Sequence, residues 1–197
     1  MKILLATKNK HKKLEIKALF KGTNIEILSL DDVGFTGDIV EDGNTFRENA
    51  EIKAKAIYQI YKIPTLADDS GICIDALAGE PGIHSARFGG YDTPSKVKNQ
   101  MIIDLLKGQD NRNAHYTCAI YFIDNEVCFS TEKSCYGQII DHEKGIGGFG
   151  YDPIFYIENF RKTMAQISLA EKNKISHRGQ ALAEFKSFIE NKYFKIF

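Results

Sequence analysis

Short apolar runs alternate with amphipathic stretches along most of this chain, a pattern that is typical of α/β proteins. Compact apolar runs predict buried strands, whereas apolar residues at every third or fourth position predict helices. We therefore expect strands at 2–6, 25–28, 63–67, 72–77, 116–123, 127–135 and 154–157. Helices are expected at about 12–21, 45–61, 93–107, 163–173 and 176–192.

The predicted strands at 116–123 and 127–135 are separated only by a short turn around Asp124-Asn125, which indicates a β-hairpin. Hairpin strands are antiparallel, whereas strands joined through helices are usually parallel. We therefore expect a central mixed β-sheet flanked by helices. No linker, internal repeat or low-complexity segment interrupts the pattern, and we expect a single domain over residues 1–197.

Composition excludes several classes of protein without identifying one. The 26 Lys and Arg residues balance the 26 Asp and Glu residues, so net charge gives no indication of a nucleic-acid or membrane partner. No apolar run approaches the ~20 residues that span a bilayer. The four cysteines form no C-x-x-C pair, and we interpret them as the reduced thiols of a cytoplasmic protein.

Asp68 and Asp69 form the feature that packing explains least. They follow the predicted strand at 63–67 and precede Ser70 and Gly71. Adjacent carboxylates repel each other and lose hydration when they are buried, and a divalent cation offsets both costs. Mg²⁺ usually meets a protein through one or two carboxylates together with substrate phosphates. The pair therefore predicts a Mg²⁺ site and suggests a phosphorylated substrate.

The loop from Thr7 to Lys12 is a candidate phosphate site. It joins a predicted strand to a helix, and backbone N–H groups at a helix N-terminus bind anions readily. Lys12 and Lys13 lie in the first helical turn, where the helix dipole disfavours cations unless an anion is bound. Thr7 and Asn9 add short polar side chains. The alternative is a solvated basic turn, and the Walker A pattern G-x-x-x-x-G-K-[ST] is absent.

Lys53 is a second candidate cation for a bound anion. It falls among the apolar residues on one face of the helix at 45–61, and the preceding loop ends in Glu41-Asp42-Gly43. A lysine in that position either extends along the surface to reach solvent or serves a buried anion. Because Glu41 could lie beside it as an acidic metal ligand, both interpretations stay open.

Two further segments suggest a site for a nucleotide base. In the segment Gly147–Pro153, glycines allow close approach to a flat ligand, Phe149 could stack on a base and Asp152 could accept a hydrogen bond. A tight turn with a core aromatic residue is the alternative. Ser176-His177-Arg178, with Lys172 upstream, places donors at a helix N-terminus, although Arg178 could simply pair with a surface carboxylate.

Six motifs occur in order along nearly the whole chain. They are Thr7-x-Asn9-x-x-Lys12; Glu41 followed by Thr45-Phe46-x-Glu48-Asn49-Ala50-x-x-Lys53-Ala54; Leu66-Ala67-Asp68-Asp69-Ser70-Gly71; Pro81-Gly82-Ile83-x-Ser85-Ala86-Arg87; Gly148-Phe149-Gly150-Tyr151-Asp152-Pro153; and Ser176-His177-Arg178-Gly179. With these long and specific motifs, the chain resembles the inosine triphosphate pyrophosphatases, also called non-canonical purine NTP pyrophosphatases. Lys8 and His11 depart from the pattern, since relatives often have glycine at both positions.

The resemblance implies a Mg²⁺-dependent hydrolase that converts ITP, dITP and XTP to the monophosphate and pyrophosphate and so cleanses the nucleotide pool. It also implies a cytoplasmic homodimer, with no nucleic-acid or membrane partner. The implied fold is an elongated, two-lobed α/β structure on a central mixed sheet.

The resemblance also implies roles for single residues. Asp69 would be the proton acceptor and, with Glu41, a metal ligand, although the residues alone do not separate Asp68 from Asp69 as the base. The triphosphate would be bound by Thr7, Lys8, Asn9, Lys10, His11, Lys12, Lys53, Ser70 and Arg87. The nucleotide, chiefly its base, would be held by Phe149, Gly150, Tyr151, Asp152, Lys172, His177 and Arg178.

Two alternatives remain open at this point. A pyrophosphatase for other nucleotides, such as the Maf-like proteins, would use similar chemistry on a different base. A nucleotide-binding regulator would bind without turnover, and the intact Asp68-Asp69 pair argues against it because a sensor needs no catalytic base.

Overall fold

A computed structural model describes residues 1–194 of the 197, and within them it has seven β-strands and five α-helices. The strands are β1 (Lys2–Leu5), β2 (Glu26–Ser29), β3 (Thr65–Ile74), β4 (Asn113–Ile123), β5 (Cys128–Ile139), β6 (Phe155–Ile157) and β7 (Lys162–Thr163). The helices are α1 (Lys10–Phe20), α2 (Phe46–Tyr61), α3 (Ser95–Leu105), α4 (Leu169–Ile175) and α5 (His177–Tyr193). Among these residues, no helix combines the length and the apolar character that crossing a membrane requires.

The seven strands form one sheet in the order β2-β1-β3-β4-β5-β6-β7. β1 runs parallel to β2 and to β3, as expected for strands that are connected through helices. The opposite end is antiparallel, where β6 pairs with both β5 and β7. The predicted α/β fold with a mixed sheet is therefore confirmed.

The backbone packs as two compact units, which are described separately. Unit 1 comprises residues 1–69, 118–133 and the segment from Arg178 onward, and unit 2 comprises residues 70–117 and 134–177. The core of unit 1 contains the fully buried side chains of Ile3, Phe122 and Phe185. The core of unit 2 is built around Ile72 and Phe155. The single domain expected over residues 1–197 stays a prediction.

The acidic pair lies within a strand rather than at a strand end. Separate strands at 63–67 and 72–77 were expected, but β3 runs unbroken from Thr65 to Ile74, and a 3₁₀ turn covers Asp75–Leu77. Asp68 and Asp69 are only 1% and 8% exposed in the middle of this strand. Ionised groups lose hydration in such a place, so cations from other elements must compensate for the burial.

Side-chain caps move several helix boundaries from their predicted positions. α1 begins at Lys10 rather than Lys12, because Asn9 Oδ1 accepts hydrogen bonds from the first backbone N–H groups of the helix. Thr93 was expected as the N-cap and Pro94 as the first residue of α3, but the helix begins at Ser95 with Pro94 at the N-cap position. The Thr93 hydroxyl donates to the carbonyl of Gly89 instead of capping the helix.

The prediction of one helix over 163–173 is wrong for the first half of that segment. β7 and a 3₁₀ turn at Met164–Gln166 occupy its first half, and each of these short elements has its own hydrogen bonds. α4 begins only at Leu169, where Ser168 and Glu171 form a reciprocal capping box. The β4–β5 hairpin and the final helix after Ser176 are confirmed, and both hairpin strands are longer than expected.

Candidate active site

Asp68 is the buried centre of a charged cluster in unit 1. Its Oδ2 atom lies 3.0 Å from Lys12 Nζ and 3.0 Å from Arg178 Nε. Burial by itself would raise the pKa of Asp68, but the charges of Lys12, Arg178 and Lys53 outweigh burial and hold the pKa well below its usual range. Asp68 is therefore ionised at neutral pH.

Arg178 links two carboxylates that lie far apart in the sequence. Its Nη1 atom donates to Glu15 Oε2 at 2.6 Å, while Nε donates to Asp68. The guanidinium is 2% exposed, and the two carboxylates raise its pKa despite burial, which acts in the opposite direction. Arg178 therefore holds α5 and α1 to the middle of β3 through charge-assisted hydrogen bonds.

Glu15 is the site residue that the sequence did not reveal. The apolar spacing of Leu14, Ala18 and Leu19 predicts that they face the core. In the structure Leu14 and Ala18 are exposed, and Glu15, Ile16 and Phe20 are buried instead. A glutamate directly before a buried isoleucine gave no signal, because its partner Arg178 is 163 positions away.

Lys53 joins the two candidate metal ligands of unit 1. Its Nζ atom lies 2.6 Å from Glu41 Oε2 and 3.5 Å from Asp69 Oδ1, so the buried lysine does serve anions. Burial opposes the charge of Lys53, but Asp69, Glu41 and Asp68 outweigh it and raise the pKa. Burial also raises the pKa of Asp69, an effect that Lys53 and Lys12 only partly offset.

Asp69 and Glu41 are suited to hold a divalent cation. Asp69 Oδ2 is buried and has no hydrogen-bond partner within residues 1–194, and the Glu41 side chain is 35% exposed. The part of the chain that the structure describes contains no group of three or more His, Cys, Asp or Glu side chains placed to hold a metal. Two carboxylates are nevertheless enough for a hard cation whose other ligands are substrate oxygens and water.

The backbone at Gly43 positions the loop that carries Glu41. The Gly43 N–H donates to Asn49 Oδ1 at 2.9 Å, which explains the buried asparagine in the second turn of α2. A Cβ atom at Gly43 would lie 2.7 Å from the Glu48 side chain and 3.0 Å from the Asn49 backbone nitrogen. Only glycine fits there, so the close approach fixes the end of the loop against α2.

Several polar groups of the loop at 7–12 already have hydrogen-bond or ion-pair partners within the protein. Asn9 Oδ1 already accepts the N–H groups of His11 and Lys12, which were expected to be available to a phosphate. Lys8 pairs with Asp38 at 2.5 Å, and Thr7 Oγ1 accepts the Asn9 N–H. Within this loop, Lys12 is the cation that reaches the acidic pair, through Asp68.

Asp152 organises the glycine loop of unit 2. Its Oδ2 atom accepts from Lys172 Nζ at 2.7 Å and from the Phe149 N–H at 2.8 Å. Lys172 Nζ also lies 4.7 Å from the centre of the Phe149 ring, a cation–π contact. Gly148 has φ +70°, and a Cβ atom there would overlap the Asp152 carboxylate, so glycine is required.

Other predicted residues of unit 2 lie in a connected framework. The Tyr151 hydroxyl donates to the Ser85 carbonyl oxygen at 2.9 Å, which joins the glycine loop to the loop that carries Arg87. His177 is buried and stacks on Tyr116, with ring centres 4.7 Å apart. Tyr116 is a second residue for which the sequence gave no signal.

The predicted site residues are divided between the two units. Unit 1 contains Thr7, Lys8, Asn9, Lys10, His11, Lys12, Glu41, Lys53, Asp68, Asp69 and Arg178. Unit 2 contains Ser70, Arg87, Phe149, Gly150, Tyr151, Asp152, Lys172 and His177. Direct contacts gather the acidic residues with Lys12, Lys53 and Arg178 in unit 1, whereas Lys10 and His11 are exposed.

Residues 3–188 match the model of the Ham1 family, which is most of the chain. The chain belongs to the Ham1 family. It is 45% identical over 194 residues to a dITP/XTP pyrophosphatase of Treponema denticola, covering 96% of this chain and 99% of that relative. It is 42% identical over 191 residues to a dITP/XTP pyrophosphatase of Thermoanaerobacter pseudethanolicus, covering 96% of each chain.

A solved structure of the Ham1 family supports the same assignment. The HAM1 protein of Coxiella burnetii matches with a TM-score of 0.89 and 34% identity, over 97% of this chain and 99% of that one. The Ham1 relatives carry the activity of the family that the sequence motifs resemble. The resemblance and the predicted α/β fold are therefore confirmed.

Proposed function

We propose that this protein hydrolyses ITP, dITP and XTP to the nucleoside monophosphate and pyrophosphate. Its full-length relatives are dITP/XTP pyrophosphatases. The charged cluster of unit 1 carries the proposal, because the carboxylates of Glu41 and Asp69 lie beside Lys53, and Lys12 pairs with the neighbouring Asp68.

Mg²⁺ is the proposed cofactor, with Glu41 and Asp69 as its ligands. The partner-free, buried Asp69 Oδ2 and the accessible Glu41 carboxylate fit a hard cation, as far as residues 1–194 are concerned. When bound, Mg²⁺ would neutralise charge on the phosphate oxygens and on the departing pyrophosphate.

Asp69 is the proposed proton acceptor for the attacking water, in preference to Asp68. Two ion pairs at 3.0 Å hold the pKa of Asp68 low, which makes it a weak base. Asp69 has, among the residues that the structure describes, one longer contact with Lys53 at 3.5 Å, and burial raises its pKa. A carboxylate that is less neutralised by cations keeps more affinity for a proton, and this supports the assignment to Asp69.

Lys12 and Lys53 are the proposed cations for the triphosphate. Phosphoryl transfer depends mainly on positioning and on neutralisation of charge, and both ammonium groups are already held beside the acidic pair. Thr7, Lys8, Asn9, Lys10, His11, Ser70 and Arg87 stay proposed phosphate-binding residues.

The glycine loop of unit 2 is the proposed surface for the base. Phe149 offers a ring for stacking, and Lys172 is a buried donor held by Asp152. ITP and XTP present a 6-keto acceptor, whereas ATP presents an amine there and would leave a buried donor unpaired. Gly150, Tyr151, His177 and Arg178 stay proposed nucleotide-binding residues.

We further propose a homodimer in the cytoplasm, which rests on the family resemblance. Sedimentation analysis of the purified protein tests the oligomeric state. A monomer at micromolar concentration would contradict the homodimer and leave the proposed activity standing.

Pyrophosphate release from a panel of triphosphates tests the activity directly. The panel contains ITP, dITP, XTP, ATP, GTP, dTTP and UTP, each with Mg²⁺ and with a chelator. We expect Mg²⁺-dependent release that is fastest with ITP, dITP or XTP. Preference for dTTP or UTP would favour a Maf-like enzyme, and binding without release would favour a regulator.

A further inference from the structure

Lys98 is a buried cation in unit 2 that the proposed roles do not use. It lies in the first turns of α3 and is 8% exposed. Its Nζ atom donates to the carbonyl oxygen of Ala86 at 2.5 Å. Burial lowers the pKa of Lys98, and no neighbouring charge among residues 1–194 counteracts that effect. Lys53 and Lys172, by contrast, are buried beside carboxylates.

The ammonium group of Lys98 has unused hydrogen-bonding capacity. It carries three N–H donors, and within residues 1–194 only the Ala86 carbonyl accepts from it. A buried charge without a counter-ion is costly, because it has lost hydration and gained little in return. Lys96, which is exposed on the same helix, does not face this cost. An anionic ligand would supply the missing acceptors.

Arg87 is a second, partly exposed cation that is covalently next to Ala86. Its Nε and Nη2 atoms lie 3.1 Å and 2.7 Å from His84 Nδ1. Because arginine can only donate, His84 Nδ1 is the acceptor of these bonds. No carboxylate forms an ion pair with Arg87 in the described residues. The guanidinium therefore also lacks a counter-ion.

The loop that carries Arg87 and the Ala86 carbonyl, the acceptor of Lys98, is held in place. Ser85 Oγ accepts the Ile72 N–H at 2.9 Å and donates to the Gly82 carbonyl at 2.6 Å. The Tyr151 hydroxyl donates to the Ser85 carbonyl. A ligand would therefore meet Arg87 and Lys98 without having to order the loop, which lowers the cost of binding.

We propose that Lys98 and Arg87 form an anion site in unit 2 that binds the phosphate tail of the nucleoside triphosphate. The proposal rests on the proposed function, and it adds Lys98 to the phosphate-binding residues that the sequence predicted. The arginine fork suits oxygens in a plane, and the lysine ammonium acts as a point charge. The Ala86 carbonyl holds the ammonium beside the peptide group that leads to Arg87.

Titration of the full chain with inorganic tripolyphosphate, in EDTA to remove metal, tests the site. We expect Lys98→Met to weaken binding about 10- to 100-fold, the usual range for one charge-assisted hydrogen bond. Lys98→Arg keeps the charge and should stay within about threefold of the wild type. Lys96→Met removes an exposed charge from the same helix and should leave affinity unchanged. Binding of inosine, which has no phosphate, should not change in any variant.

Several outcomes would overturn the anion site. The first is that the wild-type protein does not bind tripolyphosphate, and the second is that folded Lys98→Met protein binds it as tightly as the wild type. The third is that Lys98→Met loses as much affinity for inosine as for tripolyphosphate, which would indicate a merely structural role. If circular dichroism shows that the Lys98→Met protein is unfolded, the same titration is carried out with Arg87→Gln. Weaker tripolyphosphate binding by that variant supports the site, and unchanged binding overturns it.

The proposed function is decided separately by pyrophosphate release from ITP in the wild type. Release together with normal tripolyphosphate binding by Lys98→Met overturns the anion site alone. No release, together with weaker binding by Lys98→Met, overturns the proposed function and supports the anion site.

Discussion

Single residues of unit 1 show how a carboxylate can be buried and charged at the same time. Asp68 is ionised within a strand because Lys12 and Arg178 both contact its Oδ2 atom. Asp69, one position later, has only a longer contact with Lys53 among the described residues. Neighbouring positions in one strand thus acquire different pKa shifts, and this difference separates a structural carboxylate from a candidate base.

Replacement of Arg178 should lower stability strongly. Arg178→Gln would leave Glu15 and Asp68 buried without their shared cation, and loss of one partner from such a network typically costs about 3–5 kcal/mol in the free energy of unfolding. Urea unfolding measures this loss. Arg47→Gln, at an exposed position of α2, is the control and should change the free energy of unfolding by less than about 0.5 kcal/mol. Equal effects of the two substitutions would contradict the network.

Replacement of Asp69 should remove turnover and preserve the fold. Asp69→Asn keeps the size of the side chain but removes the base, so we expect kcat with ITP to fall about 10²- to 10⁴-fold, as is usual for a general base. Pyrophosphate release and circular dichroism measure the two properties. Asp42→Asn, at an exposed position, is the matched control and should keep wild-type activity. A folded Asp69→Asn protein with near wild-type kcat would refute the assignment.

At the scale of elements, local hydrogen bonds decide where helices begin and where loops end. Asn9, Thr45 and Ser168 each cap the helix that follows. The sequence Thr45-Phe46-Arg47-Glu48 has the capping-box pattern, but the box is incomplete, since the Glu48 carboxylate accepts from the Asn44 N–H rather than from the Thr45 N–H. The start of α2 was nevertheless predicted correctly, because the Thr45 cap alone marks it.

The loop before α2 should not tolerate a side chain at Gly43. Gly43→Ala would place a Cβ atom 2.7 Å from the Glu48 side chain and 3.0 Å from the Asn49 backbone nitrogen, so the loop must shift and carry Glu41 with it. A misplaced reacting group can cost about 10²-fold, and we expect kcat/KM for ITP to fall by roughly that factor. Gly37→Ala is the control, because its nearest contact is the flexible Phe35 side chain at 3.2 Å. Equal activity of both variants would contradict the role of Gly43.

At the scale of the whole molecule, the cysteines are reporters of folding for each unit. Within residues 1–194 all four are thiols outside any disulfide, as the sequence predicted. Cys118 in unit 1 and Cys135 in unit 2 are buried, and burial raises their pKa values to about 12 and about 11. Cys128 is exposed. Thiolates rather than thiols react with alkylating agents, so reactivity should follow burial.

We expect iodoacetamide at pH 8 to modify Cys128 in the native protein and to spare Cys118 and Cys135. Raised pKa values leave those two buried thiols protonated at this pH, and unfolding should restore their reactivity. Mass spectrometry of peptides from native and urea-unfolded protein measures the modification. Modification of native Cys118 as fast as Cys128 would show that its burial or its pKa is wrongly assigned.

The sequence by itself determined the family, the type of reaction and most of the element order. These properties are written in contiguous strings, such as Asp68-Asp69-Ser70-Gly71 and Gly148-Phe149-Gly150-Tyr151-Asp152-Pro153, and in local apolar periodicity. Capping and turn residues act within a few positions, so a reader of the chain can find them without knowing the fold.

Only the tertiary structure decided which charges meet. The Glu15–Arg178–Asp68 network, the continuity of β3 through two carboxylates and the isolation of Lys98 depend on residues that are distant in sequence. Burial determines how much free energy a charged group loses through desolvation, and the position of its partner determines how much is regained by ion pairing. Neither quantity can be read from a short segment of sequence. For this reason the chain alone named Asp68 and Asp69 together, and the fold was needed to tell them apart.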